Sequence, residues 1–185
     1  MALQPNPDLA VVTLEPSIQI DARHRVATPK IWLVGVGPHA VKTYLPELRR
    51  LESAGQADLC MVIELQANEA ATRKIVGGNF GLEPDYLFVP PFTDKMPGEV
   101  AACLDERLRA ERPDGIIIAT EPQAYKPYAL WALGRNLDVL MDKPITTRAD
   151  AATKLLQARG IWQDFAEIQA AYRAAQLRRE TGFVI

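Results

Sequence analysis

Residues Gly35-Val36-Gly37-Pro38-His39-Ala40 have the spacing G-x-G-x-x-A, which suits the binding of a pyrophosphate. In that spacing Gly35 allows a tight turn and Gly37 lets the backbone approach the phosphates. Ala40 lets a helix pack closely on a sheet, and the helix N-terminus offers free N–H groups and a positive dipole. Pro38 and His39 complete the turn. His39 could touch a phosphate, and a solvated loop histidine is the simpler reading. Glu64 lies 24 residues beyond Ala40. A carboxylate at that distance can accept hydrogen bonds from both hydroxyls of an adenosine ribose, and it repels a 2′-phosphate. It therefore favours NAD over NADP. The alternative is a strand-terminal glutamate in solvent. Arg73 and Lys74 could leave NADP possible, although both fall well into the following helix.

Two further groups follow apolar, β-branched runs. The first is Ala119-Thr120-Glu121-Pro122-Gln123-Ala124-Tyr125; the second is Met141-Asp142-Lys143-Pro144. In an open α/β sheet, ligands collect outside the carboxyl ends of the strands, so both groups belong to a binding edge. A lysine delivered there can polarise a hydroxyl or carbonyl oxygen, or help move a proton. Lys143 is that lysine, with a plain surface lysine as the alternative.

The elements that must position these groups alternate. IWLVGVG (31–37) reads as a buried parallel strand running into a turn, and a helix to Gly55 follows, kinked or shortened by Pro46. LCMVIEL (59–65) is a second strand, followed by a helix stopped by Gly77 and Gly78. Strands at 86–90, 116–118 and 137–142 alternate with helices at 99–112 and from Tyr125 to near Gly134. Two helices, 147–159 and 161–180, are expected to break at Gly160, and TGFVI opens a sixth strand. Strands apolar on both faces and separated by helices predict an α/β fold. Its doubly wound parallel sheet is of the Rossmann, dinucleotide-binding type, over residues 30–185. Residues 1–29 read as an arm or small hairpin, punctuated by prolines. Trp131 and its neighbours read as a helix face packing on the sheet. The stripe Trp162, Phe165, Ile168, Ala171 and Tyr172 reads as core, with an exposed partner surface as the alternative.

The glycine turn, the segment IIIATEPQAY and the run through LDVLMDKPITT together resemble the Gfo/Idh/MocA oxidoreductases over about residues 30–150. The resemblance implies a domain binding NAD or NADP and hydride transfer at a sugar or other polyol carbon. Lys143 would contact the reacting oxygen as the catalytic residue. It implies cofactor contacts from Ala119, Thr120, Pro122, Tyr125, Asp142, Lys143 and Pro144, beside the glycine turn and Glu64. It also implies a carbohydrate-like substrate, a homo-oligomer, and a C-terminal substrate domain that this chain lacks; the chain is expected to be a truncated, inactive portion. The sequence departs from the family at Asp142 (usually glutamate), Glu121 (usually proline) and Tyr125 (commonly histidine). These departures keep open a non-catalytic Rossmann nucleotide-binding or interaction module.

Composition sets the bounds. The 185 residues are 48% hydrophobic and 24% charged, enough chain for a globular domain with a sizeable core. A net charge of −2 offers no basic footprint for nucleic acid. No uninterrupted apolar run reaches membrane-spanning length and no secretory signal opens the chain, so a cytoplasmic protein is expected. Two histidines and two cysteines argue against a structural zinc site. Cys60 and Cys103 read as reduced core residues, with a single disulfide as the alternative.

Overall fold

The computed structural model describes residues 27–185. The arm or small hairpin expected over residues 1–29 lies, as far as residue 26, outside the described residues. Six parallel strands form one sheet: β1 (Lys30–Val34), β2 (Asp58–Leu65), β3 (Asp85–Val89), β4 (Gly115–Ile118), β5 (Asp138–Met141) and β6 (Phe183–Val184). Their spatial order is β3-β2-β1-β4-β5-β6. The chain winds outward from β1 to β3, returns past β1, and winds the other way from β4 to β6. This is the doubly wound Rossmann-type sheet that the alternating pattern predicts.

The two windings place helices on opposite faces. Trp32, Ile116, Ile118 and Met141 face the layer of α3 (Gly98–Glu111), α4 (Tyr125–Gly134) and α5 (Leu155–Arg178). Leu33, Val62 and Ile117 pack in a separate cluster with Leu45 and Leu48 of α1 (Leu45–Ser53) and with Val76, just beyond α2 (Glu69–Arg73). Strands buried on both faces need apolar residues at every position, which explains the continuous runs in β1, β2 and β4. Among the described residues no helix is long and apolar enough to cross a membrane.

Several local readings need correction. The helix after β1 opens as a wide π-helical turn, Ala40–Tyr44, before regular α1 begins with Pro46 in its first turn. Pro46 has no N–H to return to the Lys42 carbonyl, its α-helical partner, so the turn there cannot close in the ordinary way. Gly77 and Gly78 do not stop the next helix, which passes through them in a second π-helical stretch, Lys74–Asn79. The glycine with left-handed backbone is Gly81, at φ +60°, and its N–H donates to the Gly77 carbonyl. Cys103 is exposed rather than in the core. Both cysteines are free thiols, and burial pushes the half-buried Cys60 up to about 11. In the aromatic stripe of α5, Ile168 is buried as expected, whereas Trp162 is 71% exposed.

Trp32 and Trp131 stack at 6.0 Å between sheet and α4, and each indole N–H finds a carboxylate at 3.0 Å. Trp32 donates to Glu111, Trp131 to Asp105, as buried indoles require. The Arg135 guanidinium grips both Asp105 oxygens, at 2.5 and 2.7 Å. These hydrogen bonds, with that of Trp131, hold the Asp105 carboxyl below the usual aspartate range. A lowered carboxyl contributes stability above its unfolded value and loses it as pH falls through the folded value. Asp105→Ala should therefore cost about 1–2 kcal/mol at neutral pH and less in acid. Urea unfolding of both proteins at neutral pH and near pH 3 checks this; an equal deficit at both would contradict it.

Candidate functional site

Four strand ends meet where the winding reverses, joined by three hydrogen bonds. The Gly35 N–H donates to Ile63 of β2, the Ala119 N–H to Val34 of β1, and the Asp142 N–H to Ile118 of β4, at 2.8–2.9 Å. The carboxyl ends of β2, β1, β4 and β5 are thereby aligned in one row. Gly35 has φ +90°, and a Cβ there would stand 2.6 Å from the Ala119 carbonyl oxygen and from Thr120 Cα. Glycine is required for both backbone and space. Gly37 differs, since a Cβ there would meet nothing within 4 Å. It faces open space.

That space is a cleft of about 240 Å³. Ten of the residues singled out in the sequence line it: Gly35, Gly37, Pro38 and His39 from the turn, Glu64 from β2, Ala119, Thr120, Pro122 and Tyr125 after β4, and Asp142 after β5. Three do not. Ala40 is fully buried beneath the cleft, where the helix packs on the sheet. Lys143 and Pro144 are exposed and lie outside the lining. Val36, Leu65, Asn68 and Glu121 also line it, although none of them was named as a cofactor contact. Asn68 carried a sequence signal, as a polar residue one helical turn beyond Glu64.

Glu64 is the pivot of the cleft. It is 8% exposed, and its Oε2 accepts the Val36 N–H at 2.8 Å. Its Oε1 accepts the Leu65 N–H at 2.6 Å and the Asn68 side-chain amide at 3.3 Å. Glu64 is therefore not the solvated strand-terminal residue of the alternative reading. A second carboxylate, Asp142, stands 3.6 Å from His39 Nε2, joining the glycine turn to the end of β5. His39 also meets Tyr44 edge-on at 5.4 Å, while its side chain stays 55% exposed to solvent. Burial, then the charges of Asp142 and its neighbours, push Tyr125 up to about 12. A phenol so placed keeps its proton at neutral pH and can donate a hydrogen bond.

No lysine or arginine lines the cleft among the described residues. Arg73 is engaged elsewhere, 4.5 Å over the Tyr86 ring and 2.9 Å from Glu69 Oε1. The cleft opens beside a second hollow of about 410 Å³ with which it shares Leu65, Thr120 and Glu121. This hollow runs toward β3 and has an apolar wall of Pro91, Phe92 and Tyr128. Together they form a groove with an anion-compatible turn at one end and an apolar pocket at the other.

A doubly wound sheet with a glycine turn at its switch point defines a Rossmann-type α/β fold. More narrowly, the chain belongs to the Gfo/Idh/MocA family: the model of the oxidoreductase family with an NAD-binding Rossmann fold matches residues 30–159. The putative oxidoreductase YteT of Bacillus subtilis is 26% identical over 97 residues, which is 52% of this chain and 21% of YteT. The WlbA dehydrogenase of Chromobacterium violaceum, solved with NADH and UDP-GlcNAcA, superposes with a TM-score of 0.57 at 17% identity. The alignment covers 88% of this chain and 36% of WlbA. KijD10, a 3-ketoreductase of Actinomadura kijaniata solved with NADP, gives 0.51 at 15% identity over 80% of this chain and 36% of KijD10. The chain thus spans little more than a third of these solved relatives.

The two glycines should respond oppositely to the same substitution. Gly35→Ala forces a left-handed backbone and a clash, costing upwards of about 1–3 kcal/mol. Gly37→Ala should stay within about 0.5 kcal/mol of the parent. Denaturant unfolding of the pair measures both, and comparable losses would contradict the geometry.

Proposed function

We propose that this chain is the cofactor-binding portion of an NAD-dependent oxidoreductase acting at a hydroxyl or carbonyl carbon of a carbohydrate-like substrate. The observation that carries the reading is the Glu64 carboxylate fastened to the glycine turn in a cleft without lysine or arginine. The donor set fits the cofactor. The open space at Gly37 admits a pyrophosphate against the backbone, and the helix that follows aims its free N–H groups there. Glu64 keeps one acceptor position, on Oε2, for a ribose hydroxyl, and no cation lines the cleft ready for a 2′-phosphate, which favours NAD over NADP. Bound NAD supplies the hydride acceptor. Tyr125 offers a hydrogen-bond donor beside the turn, and the apolar hollow at Phe92 suits a nucleobase, shielding it from water. Lys143, at the β5 end of the same edge, is suited to steady the charge on a substrate oxygen. The chain spans little more than a third of WlbA, so the rest of the substrate pocket is assigned in this reading to sequence outside it, and WlbA, solved with UDP-GlcNAcA, supports a sugar nucleotide as the substrate class.

The non-catalytic module is favoured by one observation: Lys143 stands outside the cleft. In the longer protein, Lys143→Met should abolish turnover while sparing dinucleotide affinity; undiminished turnover would remove Lys143 from the chemistry. For the chain itself, thermal-shift titration with NAD, NADH, NADP and NADPH tests the binding. A ligand at 100 times its dissociation constant adds about 2.7 kcal/mol, so NAD(H) should raise the melting temperature clearly and NADP(H) little. Glu64→Gln keeps an acceptor for Val36 and removes the charge. It should weaken NADH about tenfold and narrow the gap to NADPH. A parent that prefers NADPH would overturn the role given to Glu64.

A further inference from the structure

Lys143 lies in a segment with little regular structure. Beyond the Asp142 N–H, which closes the last bond to β4, residues 143–154 leave the sheet in bends and turns before α5 begins. The expected helix over 147–159 forms only from Leu155, as the start of α5, which then runs through Gly160 without a break; Arg148 lies before it and reaches across it. Its Nε and Nη2 donate to the two oxygens of Asp164, at 2.6 and 2.8 Å. Asp164 is 4% exposed and also receives Lys126 Nζ of α4 at 2.5 Å, while Lys126 pairs with Glu167 at 2.7 Å.

Gly160 makes this possible. It lies one helical turn before Asp164 on the same face, and a Cβ there would fall inside the Arg148 guanidinium. Gly160 is not a helix breaker here; it is the gap through which an arginine passes to a buried carboxylate. The planar fork on Asp164 fixes direction as well as distance, which a lysine cannot reproduce. Between this clamp and the sheet, Ile145 packs on the core and Thr146 is buried.

We propose that Arg148, seated on Asp164 over Gly160, is a positioning residue that holds Lys143 at the carboxyl edge of the sheet. The functional meaning rests on the role given above to Lys143; the positioning itself does not. A fork to a buried acid on α5, tied through Lys126 to α4, fixes the far side of a short segment whose near side is fixed by β5. Lys143 projects from the span between them.

The test is trace labelling of the 185-residue chain with an amine-reactive reagent, with each lysine's rate read by mass spectrometry. The measured quantity is the Lys143 rate relative to Lys42 and Lys74, which lie outside the segment. Arg148→Met should shift that ratio at least about threefold, and Arg148→Lys should restore part of it. A merely structural role would lower stability and leave the ratio unchanged. Should Arg148→Met fail to fold, Gly160→Ala decides: alanine favours the helix, yet its methyl displaces the guanidinium, so the same shift is expected. An unshifted ratio in folded Arg148→Met or in Gly160→Ala overturns the proposal. NADH titration of the parent runs alongside. Absent binding would sink the functional reading above and leave the labelling result to judge the clamp.

Discussion

The hydrogen bond from the Val36 N–H to Glu64 is the constraint around which the edge of this sheet is arranged. The chain must turn sharply at Gly35 to leave β1, and the next amide points away from any strand partner. A buried N–H left unpaired would cost about 1–3 kcal/mol. The carboxylate at the end of β2 removes that cost, because parallel pairing sets Val34 beside Ile63 and brings Glu64 alongside the turn. The same carboxylate caps Leu65 and draws in Asn68, so one side chain shapes both the turn and the wall of the cleft. A group that organises the walls of the cleft also presents charge to whatever enters it.

The other side of the edge is held by a different kind of interaction. The chain between β5 and α5 has neither sheet nor helix to fix it, and ion pairs take over where backbone pairing stops. Asp164 gathers Arg148 and Lys126 from two elements in a nearly buried setting. Hydrogen bonds from Arg148 and then Lys126 hold its carboxyl below the usual aspartate range. That keeps the acid charged at neutral pH. The glycine turn and the Lys143 segment thus face each other, one fixed by a backbone-to-carboxylate bond and the other by a guanidinium fork. His39 and Asp142 close the distance between them.

The fold was legible because its signals are local. Apolar runs in β1, β2 and β4, each followed by helical spacing, require a parallel sheet covered on both faces. The glycine turn announces itself by spacing, and Glu64 by its distance from that turn. What stayed hidden depends on partners remote in sequence. Gly160 resembles a breaker until Arg148 is seen lying across it, and Gly77 and Gly78 resemble stops until the helix widens through them. Cys103 falls on the outer side of α3, whose mixed apolar pattern did not reveal which face turns inward. The site was legible in its residue types more than in its boundaries. Ala40 serves the cleft from beneath it, and Lys143 stands beside it, because side-chain direction at a strand end is decided by the loop that follows.

The central claim, that the cleft between the glycine turn and Glu64 receives a dinucleotide, is tested most directly by amide NMR of the chain titrated with NADH. The Val36, Gly37, Leu65 and Thr120 amides should shift together along one saturable curve. Gln56 and Asp114, which precede β2 and β4 at the amino ends of the strands, should stay still. Saturable binding that leaves Val36 and Leu65 unmoved would contradict the claim.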